Sequence, residues 1–349
     1  MTLRIRAVSW GRNLAISTGV KPHTAYLVCG GQFLLTSGQV CQTATRRSAT
    51  FTANLPMDGG ALSALAGGSQ TSASIIVNGS TLVQGELDNV SFDFTQRVIT
   101  ATGRDSSAKL HEMKSAEKWV NKKTTDIVQD LAQRAGLQAQ VGEGMIKAGR
   151  ILKDEYAKLT DGQSFASVIH KLAELDGARW FVKGTSLNYV SQGSSGGSYS
   201  LNYVPPTPGS PMISDCLHLT ISYNAQAAKT NETTAKSWHS RKKKMLENTA
   251  TVQGTGGKTT TSYHIPAFVQ DQIQNFAKMR AQEMTRHTFH LEAEVVGDTS
   301  IDVSMSLQLS GTGPFDQQYQ IDEIKHSFGM GGYTMIINAA TAGEGRSAE

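Results

Sequence analysis

Histidines are the side chains of this sequence best suited to metal binding or proton transfer, and nine of them are spread along the chain. His287 and His290 are three positions apart, at the start of the alternating segment Phe289–Val296. In a strand, positions three apart point to opposite faces, so this spacing does not bring the two imidazoles together. The alternating residues around His326 predict a buried histidine that is satisfied within the core. We therefore expect no metal site and no cofactor.

Carboxylates are the second group that could do chemistry, because a glycoside hydrolase needs only one acid and one base. The chain offers Asp105, Asp154, Glu155 and Asp161. Acidic residues are common at helix starts and in turns, and the G-x-S-x-G, H-E-x-x-H and phosphate-loop patterns are missing from the sequence. The sequence thus favours a protein without catalytic residues. A cell-wall hydrolase is the enzymatic alternative.

The strongest charge feature is the basic run Arg241, Lys242, Lys243 and Lys244, which follows Trp238 in the segment SWHSRKKKM. One interpretation is a solvated edge strand, where lysines prevent pairing with another sheet. The other is a contact with an acidic partner surface or with DNA, in which Trp238 acts as an interface anchor. We favour the first interpretation, and we keep all five residues as interface candidates.

The composition limits the class of protein. The 349 residues are enough for two or three domains, and 34 glycines with only 18% charged residues favour a β-rich protein with many turns. The net charge of +4 is too small to indicate nucleic-acid binding by itself.

Cysteine usage and hydropathy indicate where the protein folds. Cys29, Cys41 and Cys216 are too widely spaced for a disulfide framework or a metal-ligand pair, so a reducing compartment is expected. The N-terminus lacks the apolar core of a signal peptide, and no run approaches the ~20 apolar residues of a membrane helix. We expect no membrane segment.

The pattern along the chain changes twice and predicts three domains. Residues 1–105 read as short strands bounded by glycine. Residues 106–200 contain two amphipathic helices, Thr124–Ala135 and Ser164–Asp176, each followed by glycine. Residues 201–349 return to strands and include a long helix at Ala267–Thr285. Three polar or glycine-rich segments are predicted to be loops: Leu62–Gln70, Ser191–Ser200 and Gly254–Ser262.

Two distant segments share one pattern. Leu87–Phe94 (LDNVSFDF) and Ile321–Phe328 (IDEIKHSF) both read aliphatic, Asp, polar, aliphatic, and both end in Phe before a turn and a second alternating run. The three-residue step between the aliphatic positions breaks strict alternation, so we predict a β-bulge near Asp88–Asn89 and near Asp322–Glu323. If the hairpins close two similar domains, the equivalent positions are Leu87 and Ile321, Val90 and Ile324, and Phe94 and Phe328.

Several longer segments carry a family resemblance, and their order and spacing are more specific than any one of them. These are Val90–Asp105 (VSFDFTQRVITATGRD), Lys122–Leu137 (KKTTDIVQDLAQRAGL), Asp161–Val182 (DGQSFASVIHKLAELDGARWFV), Ser237–Lys244 (SWHSRKKK) and Tyr319–Ala339 (YQIDEIKHSFGMGGYTMIINA). From about residue 85 onward the chain resembles the late control D protein family, which is related to the N-terminal part of VgrG. The family comprises baseplate hub proteins of contractile-tailed phages.

The resemblance implies an α+β, mainly β fold with two similar β-barrel domains and a small inserted α/β domain. The expected domains are a first β-barrel at 1–105, the α/β domain at 106–200, and a second β-barrel at 201–349 that carries the basic loop and the long helix. Both barrels are expected to be of the tail-tube type.

The resemblance also implies a mechanical function rather than an enzymatic one. Three copies would form a ring that joins the six-fold tail tube to a three-fold spike, with a channel for genome passage. The expected partners are two further copies, the tail tube ring, a separate spike protein, baseplate wedge proteins and DNA in transit. The expected location is the virion tail baseplate, after assembly in the host cytoplasm. Alternatives are the hub of a DNA-free bacteriocin or secretion device, and a module that grips peptidoglycan through residues 106–200.

Overall fold

The structure is a computed structural model. It describes residues 23–44, 47–68, 71–115, 117, 119, 122–142, 147–148, 162–191, 194–239, 243–265 and 270–341. The elements are mostly strands with a minority of helix, which confirms the mainly β, α+β fold class. Across these ranges, no helix combines the length and the apolar character needed to span a membrane.

The first part of the chain is built from strands, several of which bury every second side chain. The strands are β1 (Ala25–Val28), β2 (Gln32–Leu34), β3 (Ser37–Thr43), β4 (Thr50–Pro56), β5 (Ser72–Val77), β6 (Ser80–Asp93) and β7 (Val98–Asp105). In β4, for example, Phe51, Ala53 and Leu55 are buried and the residues between them are not. This period-two burial is what the sequence pattern predicted.

A helix, α1 (Gly59–Ala66), lies between β4 and β5, where the sequence predicted a loop over Leu62–Gln70. The prediction was wrong for the residues up to Ala66, because an N-cap stabilises a helix in a segment whose own residues favour a loop only weakly. The side chain of Asp58 accepts a hydrogen bond of 2.7 Å from the backbone N–H of Ala61, which satisfies one of the free donors at the helix start. Leu65 then anchors the helix in the core.

The middle of the chain combines helices with small sheets. Its helices are α2 (Ala108–Glu112), α3 (Thr124–Arg134) and α4 (Phe165–Asp176), and its strands are β8 (Lys114–Ser115), β9 (Lys122–Lys123), β10 (Gln138–Val141), β11 (Lys147–Ala148), β12 (Gln163–Ser164), β13 (Ala178–Lys183) and β14 (Ser186–Ser191). The two longer helices are confirmed. Ser164 caps α4 by accepting from the Ser167 N–H at 3.2 Å, and Gly177 ends it with a left-handed φ of 64°.

The last part of the chain contains the remaining strands and the long helix. The strands are β15 (Ser198–Val204), β16 (Ile213–Ser214), β17 (Cys216–Tyr223), β18 (Thr230–His239), β19 (Lys244–Val252), β20 (Lys258–His264), β21 (Phe289–Val296), β22 (Ser306–Ser310), β23 (Gln318–Gly329) and β24 (Gly332–Thr341), and the helix is α5 (Gln270–Arg286). The loops predicted over Ser191–Ser200 and Gly254–Ser262 are therefore partly wrong. β15 begins inside the first and β20 inside the second. β20 (KTTTSYH) lacks the apolar alternation that marks a strand, and in β15 the alternation of Tyr199, Leu201 and Tyr203 continues beyond the predicted loop.

A separate three-stranded sheet in the order β19-β18-β20 packs on α5. Its inner face places Ala235 against Ile273, Phe276 and Ala277 of the helix, with Tyr263 at the margin. Its outer face is polar and includes an ion pair of 3.3 Å between Lys236 and Glu247. Lys243 and Lys244, the described half of the basic run, lie where the β18–β19 hairpin enters β19.

The other long strands of the first and last parts form one 14-stranded sheet rather than two separate sheets. β23 is the shared strand, because it pairs with β24 along one edge and with two strands along the other. Residues Gln318–Gln320 pair with β22, and Glu323–Phe328 pair with Gly38–Thr43 of β3. No ladder among the described residues joins the ends of this sheet, so it is an open path there.

The same five-strand arrangement occurs twice in this sheet. The first arrangement, unit one, has the order β3-β4-β7-β6-β5, and the second, unit two, has the order β17-β21-β24-β23-β22. All neighbours within each unit are antiparallel, and the strands follow one another along the chain in the same sequence in both. The chain thus builds one topology twice, with 106–200 between the two copies.

Candidate assembly surface

The two hairpins singled out in the sequence are β6–β7 and β23–β24, and both carry the predicted bulge. The register of β6 against β7 shifts between Leu87 and Asn89, and that of β23 against β24 shifts between Ile321 and Glu323. These bulges confirm the prediction from the three-residue aliphatic step.

An arginine binds the aspartate at each bulge. Arg104 grips the Asp88 carboxylate with two hydrogen bonds of 2.7 Å, and Arg286 donates to Asp322. The irregular backbone is therefore held by an ion pair in both hairpins.

The aliphatic residues of the two hairpins lie on the core side but are covered to different degrees. Ile321 and Ile324 are fully buried, whereas Leu87 and Val90 are only half-buried. The difference follows from the neighbours, because β3 covers the outer edge of β23 while β5 pairs with β6 only as far as Glu86.

The two phenylalanines that end the hairpin motifs have opposite environments. Phe328 is 4% exposed and lies inside β23, whereas Phe94 is 69% exposed and follows the end of β6. The last hairpin extends its ladder to Gly329 and Gly332, while the ladder of the first hairpin ends at Asp93 and Val98. The sequence pattern did not reveal this difference, since both motifs read the same up to the turn.

The junction between β3 and β23 joins the two five-strand units. Phe328 crosses it and lies over Gly38, where an added Cβ would meet ring atoms at 2.5 and 2.6 Å. Beside it His326 is fully buried, its Nδ1 atom lies 2.8 Å from the hydroxyl of Tyr333, and burial lowers its pKa to about 4. The histidine is therefore neutral and structural, as the sequence predicted, although its Nε2 atom has no hydrogen-bond partner within the described ranges.

Two long strand edges have no ladder partner within the part of the chain that the structure describes. One is the edge of β6 opposite β7, beyond Leu87, and the other is the edge of β17 opposite β21. Large apolar side chains are exposed beside both edges, namely Phe94 on the first and Leu217 and Tyr223 on the second. Unpaired N–H and C=O groups on a long edge form a template for another strand. The alternating apolar residues of Leu217–Tyr223 are typical of a strand, but strand pattern alone does not say which strands lie at an edge.

The structure describes the second half of the basic run, which lies at the tip of the β18–β19 hairpin. Lys243 and Lys244 are exposed, and Lys243 adopts a positive φ of 46° in the turn before β19. Trp238 is 54% exposed and pairs across the ladder with Met245, which is also exposed. Arg241 and Lys242 lie outside the described residues. Trp238 is thus a surface residue of the tip rather than a core residue.

The candidate catalytic and metal-binding residues that the structure describes lie in different elements. Asp105 is buried at the end of β7, where Ser107 donates to its carboxylate at 2.5 Å, and burial raises its pKa to about 6. His287 lies in the turn after α5, and His290 lies in β21. Asp154, Glu155 and Asp161 lie outside the described residues. Among the described residues, no three His, Cys, Asp or Glu side chains lie close enough together to bind a metal ion.

Comparison with known proteins identifies the fold. No family model matches the sequence, and no curated protein is similar to it at the level of sequence. Solved structures are similar across nearly the whole chain. A tail protein from Neisseria meningitidis MC58 has a TM-score of 0.70 at 12% identity, covering 91% of this chain and 96% of its own.

Two further structures extend the comparison. The 43 kDa tail protein of prophage MuSo2 from Shewanella oneidensis has a TM-score of 0.65 at 14% identity, covering 92% of this chain and 97% of its own. The E. coli c3393 protein has a TM-score of 0.57 at 9% identity, covering 93% of this chain and 79% of its own. It is a type VI secretion component described as similar to the T4 tail proteins gp27 and gp5. The resemblance drawn from the sequence is thus confirmed at the level of the fold: this chain has the fold of phage tail proteins and of their type VI secretion counterpart.

Proposed function

We propose that this protein is the structural hub of a contractile tail baseplate, a trimeric ring that adapts a six-fold tail tube to a three-fold spike. The observation that carries the proposal is the five-strand unit built twice in one chain. The shared fold of tail proteins supports it.

The adaptor role follows from counting surfaces. A six-fold tube presents six similar binding sites, and three copies of a chain with two similar units present six similar surfaces in return. Closed point symmetry makes such repetition an economical way to match the two rings. On this proposal each unit curls into a barrel, and Leu87, Val90 and Phe94 hold the same places in unit one that Ile321, Ile324 and Phe328 hold in unit two.

The arrangement of partners follows from the same ring. The six-fold face meets the tail tube, the opposite face meets a separate spike protein, and the periphery meets the wedge proteins. The channel through the ring passes DNA, and the protein resides in the virion baseplate after assembly in the host cytoplasm. The α/β domain at 106–200 lies outside the ring, between a first barrel at 1–105 and a second at 201–349, since an insertion toward the axis would block the channel.

The tip of the β18–β19 hairpin is the candidate contact with a neighbouring baseplate protein. Trp238 and Met245 offer an exposed apolar pair, and Arg241, Lys242, Lys243 and Lys244 offer positive charge. Tryptophan is enriched at the energetic centres of interfaces, which supports Trp238 as the anchor. An acidic, partly apolar surface would complement this tip.

Mass measurement of the purified chain tests the ring. We expect light scattering to give three times the 37.5 kDa of one chain as concentration rises, and electron microscopy of those particles to show a ring with a central hole. A monomer at every concentration, with and without the tail tube and spike proteins of the same particle, would count against the hub.

The hub of a DNA-free secretion device is the second candidate function. The observation that favours it is the shared fold with the E. coli type VI secretion component. Particles purified with this protein would decide between the two. A phage contains a genome that nuclease treatment of intact particles does not remove, whereas a secretion device contains none.

A further inference from the structure

The two free strand edges belong to strands that correspond to the two strands of the internal β3–β23 junction. The first strand of each unit is β3 in unit one and β17 in unit two, so β17 corresponds to β3. In the same way the long strand β23 of unit two corresponds to β6 of unit one. Within the chain, β3 of unit one already pairs with β23 of unit two. The edges left over are therefore β6 of unit one and β17 of unit two, one of each kind.

The ladders show which residues of these strands correspond. Gly103 and Ala339 correspond, because they lie opposite the last residue before the bulge in β6 and in β23. Phe51 pairs with Gly103 in unit one, and Leu291 pairs with Ala339 in unit two. Val40 lies opposite Phe51, and Ile221 lies opposite Leu291. Ile221 therefore stands in β17 where Val40 stands in β3.

We propose that β17 of one copy pairs antiparallel with β6 of the next copy, and that this contact repeats the β3–β23 junction found inside each chain. The proposal rests on the trimeric hub proposed above and names the surface that builds it. The partner that fits each free edge is a second copy of this chain.

The internal junction also fixes the register of the contact. Val40 pairs with His326 and Cys41 pairs with Lys325 across β3 and β23. Counted from the bulge in each strand, Phe92 of β6 corresponds to His326 of β23, and Ser91 corresponds to Lys325. The predicted pairs across the copies are Asn89 with Asn224, Val90 with Tyr223, Ser91 with Ser222, Phe92 with Ile221, Asp93 with Thr220, and Phe94 with Leu219.

Side-chain chemistry agrees with this register on both faces of the sheet. The core-side pairs are all apolar or aromatic, and they cover Phe94 and Tyr223, which are 69% and 53% exposed in the single chain. Phe94 then lies on Leu219 as Phe328 lies on Gly38. The other face pairs Asn with Asn, Ser with Ser, and Asp with Thr, which are neutral or singly charged and can hydrogen bond. A slip of one residue would place Phe92 opposite a polar residue, so this register is strongly specified.

The contact is head to tail, because each copy contributes β17 on one side and β6 on the other. Head-to-tail contacts close into rings when the rotation between copies allows it. If the contact between copies has the geometry of the internal junction, the same rotation relates each of the six units of a trimer to the next unit around the ring. Leu87, Val90 and Phe92, which are half-buried in the single chain, are then covered by the next copy.

Disulfide formation between copies tests the proposal, in a background with Cys41→Ser because Cys29 and Cys216 are buried. Chains with Ser91→Cys are co-expressed with chains that carry Ser222→Cys, and both positions are exposed in the single chain. A disulfide needs Cβ atoms about 3.5–4.5 Å apart. Directly opposed residues, at about 4.5–5.5 Å, can reach this distance with a small shift, whereas diagonal ones at about 7–8 Å cannot. We expect a cross-linked dimer from the mixture and none from either variant alone. The register control pairs Ser91→Cys with Thr220→Cys and should give at least tenfold less product.

Each outcome has a defined meaning when the mass of the unmodified protein is measured in parallel. A cross-link specific to Ser91 with Ser222 supports the proposal. A trimer that forms without this cross-link, or that prefers Ser91 with Thr220, overturns the proposed contact and leaves the hub standing. A monomer that gives no cross-link overturns both.

Discussion

Replacing Phe328 by Ala tests whether the β3–β23 junction holds the two units together. The ring is 4% exposed and lies directly on Gly38, which has no side chain that could move into the space left behind. Truncation of a buried Phe destabilises by about 3–5 kcal/mol, and the upper half applies where the site cannot collapse. We therefore expect the local stability of the junction to fall by about 4 kcal/mol.

The matched control is Phe94→Ala, the same substitution at the corresponding place of the other hairpin. Phe94 is 69% exposed in the single chain, so its loss should change stability by less than about 0.5 kcal/mol. Under the proposed contact between copies, the same variant should weaken the trimer. The two substitutions thus separate stability of the chain from assembly.

Hydrogen exchange read by mass spectrometry is the suitable assay, because a chain of several structural parts need not unfold in one step. Peptides that cover β3, β23 and β24 report the opening free energy of the junction itself. We expect Phe328→Ala to accelerate exchange in all three strands and Phe94→Ala to leave them unchanged. Equal protection in both variants, or acceleration confined to β24, would show that Phe328 does not join the units.

Three further predictions concern single features. Gly38→Ala should destabilise by about 1–3 kcal/mol in chemical denaturation, because its Cβ would meet the Phe328 ring at 2.5 Å. The folded pKa of His326 is about 4, below the unfolded value of about 6.5, so wild type should lose up to about 3 kcal/mol of stability as pH falls from 6.5 to 4. His326→Gln should abolish that loss, and the difference between the two proteins isolates it from Asp105, whose raised pKa acts with the opposite sign. Replacing Arg241, Lys242, Lys243 and Lys244 by Ser should leave the melting temperature nearly unchanged, since exposed charges contribute little; a large loss would show that the run is structural.

Local pattern was enough to predict most elements. The helices α3 and α4 were predicted because their apolar residues recur at helical spacing and a glycine follows each of them. A capping side chain marks the start of α4 only, since α3 begins without one. The two bulges were predicted because a three-residue aliphatic step cannot fit a period of two. Where polar and glycine content indicated a loop, as at the starts of β15 and β20, pairing with distant strands decided the structure and the sequence predicted loops.

Long-range pairing could not be predicted from the sequence. β3 and β23 are separated by most of the chain, and nothing in either strand's own residues indicates the other as its partner. The difference between Phe94 and Phe328 has the same origin, since one motif has a neighbour on its outer edge and the other does not. The free strand edges could not be predicted either, because they depend on which strands pair. The sequence therefore indicated the charged tip near Trp238 as an interface and not Tyr223.

A contact within a chain and a contact between chains have different energetic requirements, and the residues that differ between the two junctions agree with them. The internal junction contains Gly38 and the buried His326, and it forms between segments already tethered to one another, so little apolar area is needed to hold it. A contact between free copies must also offset the loss of translational and rotational freedom on association. At the corresponding places the proposed external junction has Leu219 for Gly38 and Phe92 for His326, larger or more apolar side chains in both cases. One topology built twice can therefore form both the junction within the chain and the contact between chains. The two differ at the positions where the contact between chains needs more apolar area.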